Sequence, residues 1–99
     1  MVLSLRRGRI LIVDDERGIR RLLSDGLGLE GFDCSDAPGG REALELLETQ
    51  PFDAVISDLR MPGTSGLELL KAVREKHPQV AFLMATAVDN VRVVIQASN

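Results

Sequence analysis

Three acidic residues stand where apolar runs stop. Asp14 and Asp15 follow Ile10-Leu11-Ile12-Val13, and Asp58 follows Ala54-Val55-Ile56 with only Ser57 between. A hydroxyl, Thr86, closes a further apolar run over residues 80–85. Carboxylates can act as nucleophiles, as proton carriers or as hard oxygen ligands. Three of them in one cleft raise one another's pKa and destabilise the empty site unless a cation intervenes. Magnesium suits such a set, because it takes oxygen ligands, keeps several waters and is commonly held by one or two carboxylates with phosphate oxygens. Zinc would ask for a cysteine or histidine cluster, and the chain has one cysteine and one histidine. Taken singly, each residue has a plainer use: an acidic residue after a strand usually caps a helix or solvates a turn, and a threonine there is ordinary. Convergence is what would make them chemical.

Whether they converge depends on the elements that carry them. Residues 9–13 are apolar on successive positions at their end, the pattern of a parallel strand covered on both faces. Ile19, Leu22, Leu23, Gly26 and Leu27 share one helical face, with Arg17, Arg20, Arg21 and Asp25 largely elsewhere, which predicts a helix over 17–30 stopped by Gly31. A short strand over 32–35 precedes the Ala37-Pro38-Gly39-Gly40 breaker, and Ala43, Leu44 and Leu47 mark the inner face of a helix over 40–49 closed by Pro51. After the strand ending at Asp58, Met61-Pro62-Gly63 is a loop. Ser65 with Glu68 has capping-box spacing for a third helix, whose buried stripe is Leu69, Leu70 and Val73 and whose end is His77-Pro78. The fourth strand covers 80–85. Residues 89–97 are expected to be helical, with Asp89 or Asn90 as cap, although Val91, Val93, Val94 and Ile95 are β-branched. Strand and helix alternate throughout, so the expected fold class is α/β, a central parallel sheet between helical layers. In such sheets ligands gather at the carboxyl ends of the strands. In the common flavodoxin-like order the first and third strands are neighbours, which would bring Asp14, Asp15 and Asp58 into one cleft.

Composition agrees with one domain over residues 1–99: 99 residues at 44% hydrophobic content bury a real though modest core. Twelve Lys and Arg against fifteen Asp and Glu leave a formal charge of −3, so direct nucleic-acid binding is not expected. Cys34 has no partner for an internal disulfide, and no segment resembles an export signal or a membrane span, so a cytoplasmic setting without membrane contact is expected. Cys34 and the methionines are read as packing groups, His77 as a helix-end residue, and Arg6, Arg7 and Arg9 as a solvated approach to the sheet.

Ile10 to Glu16, then the block from Ala54 through Ser57-Asp58-Leu59-Arg60-Met61-Pro62-Gly63-Thr64-Ser65-Gly66 to Leu70, then Leu83-Met84-Ala85-Thr86-Ala87, resemble the receiver domains of two-component response regulators along nearly the whole chain. The resemblance is to receivers attached to transcriptional activators of the nitrogen-regulation type above others. It implies a flavodoxin-like three-layer sandwich with strand order 2-1-3-4. It also implies a phosphoacceptor module that takes a phosphoryl group from a sensor histidine kinase or phosphotransfer protein, signals to an output domain outside this chain, and turns over no external substrate. By resemblance Asp58 is the phosphoacceptor, and Asp14, Asp15, Asp58 and the backbone carbonyl of Arg60 hold Mg2+. Thr86 is the switch hydroxyl, small Ala87 leaves access, and Arg60 and Val88 occupy the positions that tune dephosphorylation.

The family continues into a fifth strand ending in a lysine, then a fifth helix, whereas this chain ends at Asn99 and its Lys71 and Lys76 fall on the third helix. The resemblance thus implies a receiver incomplete at its carboxyl end, or one completed by another chain. Residues 80–85 would then form an apolar edge strand, expected to pair with another copy of the chain or with residues 91–96 recast as a strand, the former being favoured. Two other functions compete. A phosphatase of the haloacid dehalogenase type also uses an aspartyl nucleophile with magnesium, but needs a carboxyl general acid two residues on, where Arg60 stands. A receiver-like module that binds without phosphorylation fits the missing lysine, but packing alone does not demand Asp14, Asp15, Asp58 and Thr86 together.

Overall fold

Each of the first three strands leads through a short loop into a helix, and the sheet follows from that alternation. The computed structural model describes residues 7–87 and 91–96, with side chains over 7–85. In chain order the elements are β1 (Gly8–Val13), α1 (Arg17–Leu29), β2 (Phe32–Ala37), α2 (Gly40–Thr49), β3 (Ala54–Asp58), α3 (Gly66–Lys76), β4 (Ala81–Ala87) and β5 (Val91–Gln96). The sheet order is β2-β1-β3-β4-β5. Its first four strands are parallel in the expected order, and β5 runs antiparallel to β4.

Parallel register aligns Leu11 with Val55 and Val55 with Phe82, and aligns Ile12 with Ile56 and Ile56 with Leu83. Side chains alternate across a strand, so these two rows lie on opposite faces. The first row, with Val13 and Met84, joins Ala43 and Leu47 of α2 and Leu69, Leu70 and Val73 of α3 in one buried cluster. The second row lies on the side of α1, where Ile10 and Ile12 are buried but Ala54, Ile56, Leu83 and Ala85 are only half-buried. No residue of α1 itself is buried.

Local stops match the chemistry that predicts them. Gly31 follows α1 with φ 98°, a left-handed conformation favouring glycine, and its N–H donates to the Gly28 carbonyl at 3.1 Å. Ser65 caps α3 with a complete capping box: its hydroxyl accepts from the Glu68 N–H at 3.2 Å while its own N–H donates to Glu68 Oε1 at 3.1 Å.

Four expectations need correction. The helix expected over 89–97 is instead β5, at least over Val91–Gln96. An unpaired β4 edge is costly, and β-branched residues suit a strand better than a helix, so pairing wins over local helix formation. The bare edge that prompted the expectation of association between chains is therefore paired within the chain. β2 extends beyond 35 to Ala37, because β1 offers partners as far as Val13. Finally, Arg9 is no solvated approach. It alternates with Ile10 on the α2 side, where its guanidinium lies 5.3 Å from the Phe52 ring centroid and Nη2 donates to Gln50 Oε1 at 2.8 Å. Nε lies 3.7 Å from Asp33. Arg6 lies outside the described residues.

Candidate functional site

Asp14 is the first residue beyond β1, and three hydrogen bonds hold it. Its N–H donates to the Ala37 carbonyl at 3.2 Å, tying the ends of β1 and β2 together. Its Oδ1 accepts from the N–H of Glu16, the N-cap of α1, at 2.8 Å. Its carbonyl accepts from Arg20 Nη1 at 2.7 Å. Asp14 is buried, and burial pushes its carboxyl above the usual aspartate range; the Glu16 N–H opposes this, while the charges of Asp58, Asp15 and Glu16 add to it.

Asp58 ends β3 and is half-buried, and Asp15 is exposed. The loop after Asp58 is held from both sides: Leu59 N–H donates to the Ala85 carbonyl at 3.2 Å, and Gly66 N–H donates to the Leu59 carbonyl at 2.9 Å. At Gly66 there is no room for a side chain. A Cβ there would run into the Asp58 carbonyl oxygen and come within 2.9 Å of Leu59 Cα. Close backbone approach at the start of α3 thus sets where Asp58 sits, and only glycine permits it.

These supports bring one carboxylate oxygen each from Asp14, Asp15 and Asp58 within 4.8 Å of one another. The group contains hard oxygen donors only, with no thiol or imidazole, which fits a divalent cation of the magnesium type. Arg60 is exposed, and its N–H lies 3.4 Å from Asp58 Oδ1, a long contact. Thr86 lies in β4, its backbone opposite Arg92 of β5. The side chains of Thr86 and Ala87, and Val88, Asp89 and Asn90 entirely, lie outside the described residues.

Two residues at the site escaped the sequence reading. Arg20, assigned to the outer face of the first helix, turns inward, and Nε donates to Asp36 Oδ2 at 2.8 Å. The strand expected over 32–35 stops one residue short of Asp36, which β2 includes. The signal was present: Asp36 is one more acidic residue at a parallel strand's carboxyl end. His77 caps α3 through its N–H to the Val73 carbonyl at 2.7 Å, as a helix-end residue does. Among the described residues no helix is long and apolar enough to cross a membrane.

Four parallel strands in order 2-1-3-4 with acid clustered at their carboxyl ends define a flavodoxin-like α/β domain whose site lies where the strand order reverses. The response regulator receiver domain family matches residues 10–99, and the chain belongs to that family. It is 42% identical over 93 residues to the response regulator protein PilR of Pseudomonas aeruginosa, covering 94% of this chain and 21% of PilR. It is 36% identical over 93 residues to the transcriptional regulator NtrC of Escherichia coli K12, covering 94% and 20%. The chain therefore spans about a fifth of the length of these curated relatives. Among solved structures it is similar to the response regulator TrrA of Thermotoga maritima in complex with Mg2+-BeF, with TM-score 0.78 and 42% identity over 82% of this chain and 70% of that one. It is likewise similar to TrrA in complex with the histidine kinase ThkA, with TM-score 0.77 and 41% identity over 83% and 71%. Receiver domains of response regulators are signalling modules rather than enzymes that turn over external substrates.

Proposed function

We propose that the protein accepts a phosphoryl group on Asp58 from the phosphohistidine of a sensor kinase or phosphotransfer protein. The observation that carries this is the gathering of Asp14, Asp15 and Asp58 within 4.8 Å at the carboxyl edge of the sheet. An Asp58 carboxylate oxygen attacks phosphorus and forms the new O–P bond, the donor's N–P bond breaks, and its electron pair stays on the imidazole, which takes up a proton. Asp14, Asp15, Asp58 and the Arg60 carbonyl would hold Mg2+, which when bound screens the charge of the nucleophile and of the phosphoryl oxygens. Asp58 is half-buried and so open to a donor, while β3 and the close approach of Gly66 to its backbone carbonyl hold the main chain that carries it. Thr86, at the end of the neighbouring strand, supplies the hydroxyl that reports the product, and small Ala87 leaves access. The signal passes to an output module carried outside the 99 residues, as in a regulator of the kind the chain resembles.

Incubation with a small acyl phosphate and Mg2+, followed by intact-mass measurement, tests the reading. One phosphoryl group, labile in both acid and base as an acyl phosphate is, should appear, depend on Mg2+, and be absent from Asp58→Asn. Persistence of the same adduct in Asp58→Asn would refute the assignment. Thr86→Ala should gain the phosphoryl group and lose the conformational response. Mg2+ should bind at millimolar strength or weaker, as expected where few carboxylates and several waters form the shell, and Asp15→Asn should weaken it markedly.

A further inference from the structure

Arg20 spends its hydrogen bonds away from its own helix. Its side chain is 14% exposed, although it sits on the first turns of an exposed helix between Arg17 and Arg21. One end of the guanidinium donates to the Asp14 carbonyl at 2.7 Å and another edge to the Asp36 carboxylate at 2.8 Å. A planar fork holds two acceptors on two strand ends in fixed, separated directions, whereas a lysine would offer them rotatable donors on a single nitrogen. The pairing with Asp36, whose side chain is 48% exposed, adds little stability by itself, so its geometry matters more than its energy.

The acidic loop needs such a tether. Three carboxylates close together repel, and the repulsion acts to spread the chain between β1 and α1. The helix start restrains the loop through one bond, the Glu16 N–H to Asp14 Oδ1, and Glu16 adds no side-chain cap. Asp15 is exposed, so its place is set through the backbone of its neighbours. We propose that Arg20 is the positioning residue of the acidic site, holding the Asp14 backbone against the end of β2 so that the Asp14 and Asp15 carboxylates meet Asp58. The role rests on reading that cluster as a metal site. Arg20 touches neither metal nor phosphoryl group; it acts through the Asp14 carbonyl.

Two readouts test it: Mg2+ affinity followed by NMR titration, and amide hydrogen exchange at Glu16 in metal-free protein, since that N–H is bonded to Asp14 Oδ1. Arg20→Ala should weaken Mg2+ roughly tenfold, the scale at which groups behind metal ligands act, and speed exchange at Glu16. Arg20→Lys should recover little of either, and Asp36→Ala, which frees one prong, should show a smaller loss in the same direction. Wild-type affinity and exchange in Arg20→Ala would overturn the proposal, as would full recovery in Arg20→Lys, which would make charge alone sufficient. If Arg20→Ala does not fold, unchanged values in both Arg20→Lys and Asp36→Ala overturn it. If the wild type binds no Mg2+, the metal reading falls by itself, and Glu16 exchange still decides whether Arg20 tethers the loop.

Discussion

The two faces of the sheet are built from the same kinds of residue and packed to different degrees. On one face α2 and α3 close over Leu11, Val13, Val55, Phe82 and Met84, all buried in one cluster. On the other α1 works alone, and Ile56, Leu83, Ala54 and Ala85 stay half-buried while Ile10 and Ile12 are covered. Geometry explains the difference. A helix with its side chains is about 10 Å across and strands lie about 4.8 Å apart, so one helix covers roughly two strands. Two helices suffice for four strands; one does not. The acidic site sits on the seam between the two regimes: Asp58 is held from the dense side by Gly66 of α3, while the Asp14 loop is held from the open side by Arg20 of α1. The dense face anchors by packing, and the open face by hydrogen bonds.

The sharpest contrast should come from truncating one residue on each face of β4. Phe82→Ala, on the dense side and 1% exposed, should cost about 3–5 kcal/mol, measured by denaturant unfolding, because it leaves a closed cavity. Leu83→Ala, its neighbour on the α1 side, should cost roughly 1 kcal/mol, since solvent already reaches the side chain and no closed cavity forms. Equal losses at the two positions would abolish the distinction between the faces. Ser65→Ala should also cost about 1 kcal/mol by removing the cap that starts α3 on the dense side.

The capping box has a pH signature. The Glu68 carboxyl lies below its ordinary value of 4.5, first because the Ser65 N–H donates to it, then because of the Ser65 hydroxyl, with Lys71 adding its charge. A depressed acid contributes stability that is full above its unfolded value and lost as the pH falls through its folded value. Thermal melts should therefore show wild type ahead of Glu68→Gln above pH 4.5, with the gap closing below it. A gap that widens on acidification would contradict the box. The smallest effect belongs to Leu29, which is 88% exposed at the end of α1: Leu29→Ala should stay within about 0.5 kcal/mol of wild type. A larger loss would mean that the α1 face is covered in solution.

Pattern and chemistry that act over a few residues were legible in the chain itself. Successive apolar positions marked β1, β3 and most of β4, the Ser65 and Glu68 spacing marked the start of α3, Gly31 marked the end of α1, and acid at the strand ends marked Asp14, Asp15 and Asp58. These depend on backbone propensity and hydrogen bonding between near neighbours, which sequence spacing records directly. Tertiary structure alone decided the fate of residues 91–96, because whether β-branched residues form a strand depends on whether a strand edge waits beside them. It also decided the roles of Arg9 and Arg20. Arg9 groups with Arg6 and Arg7 ahead of the sheet and Arg20 falls off the apolar stripe of its helix, so local pattern points both to solvent, yet each is drawn inward by a partner 41 or 16 positions away in the chain, Gln50 or Asp36. The difference in packing between the sheet's faces was likewise invisible in the order of residues, since it depends on how many helices lie over how many strands.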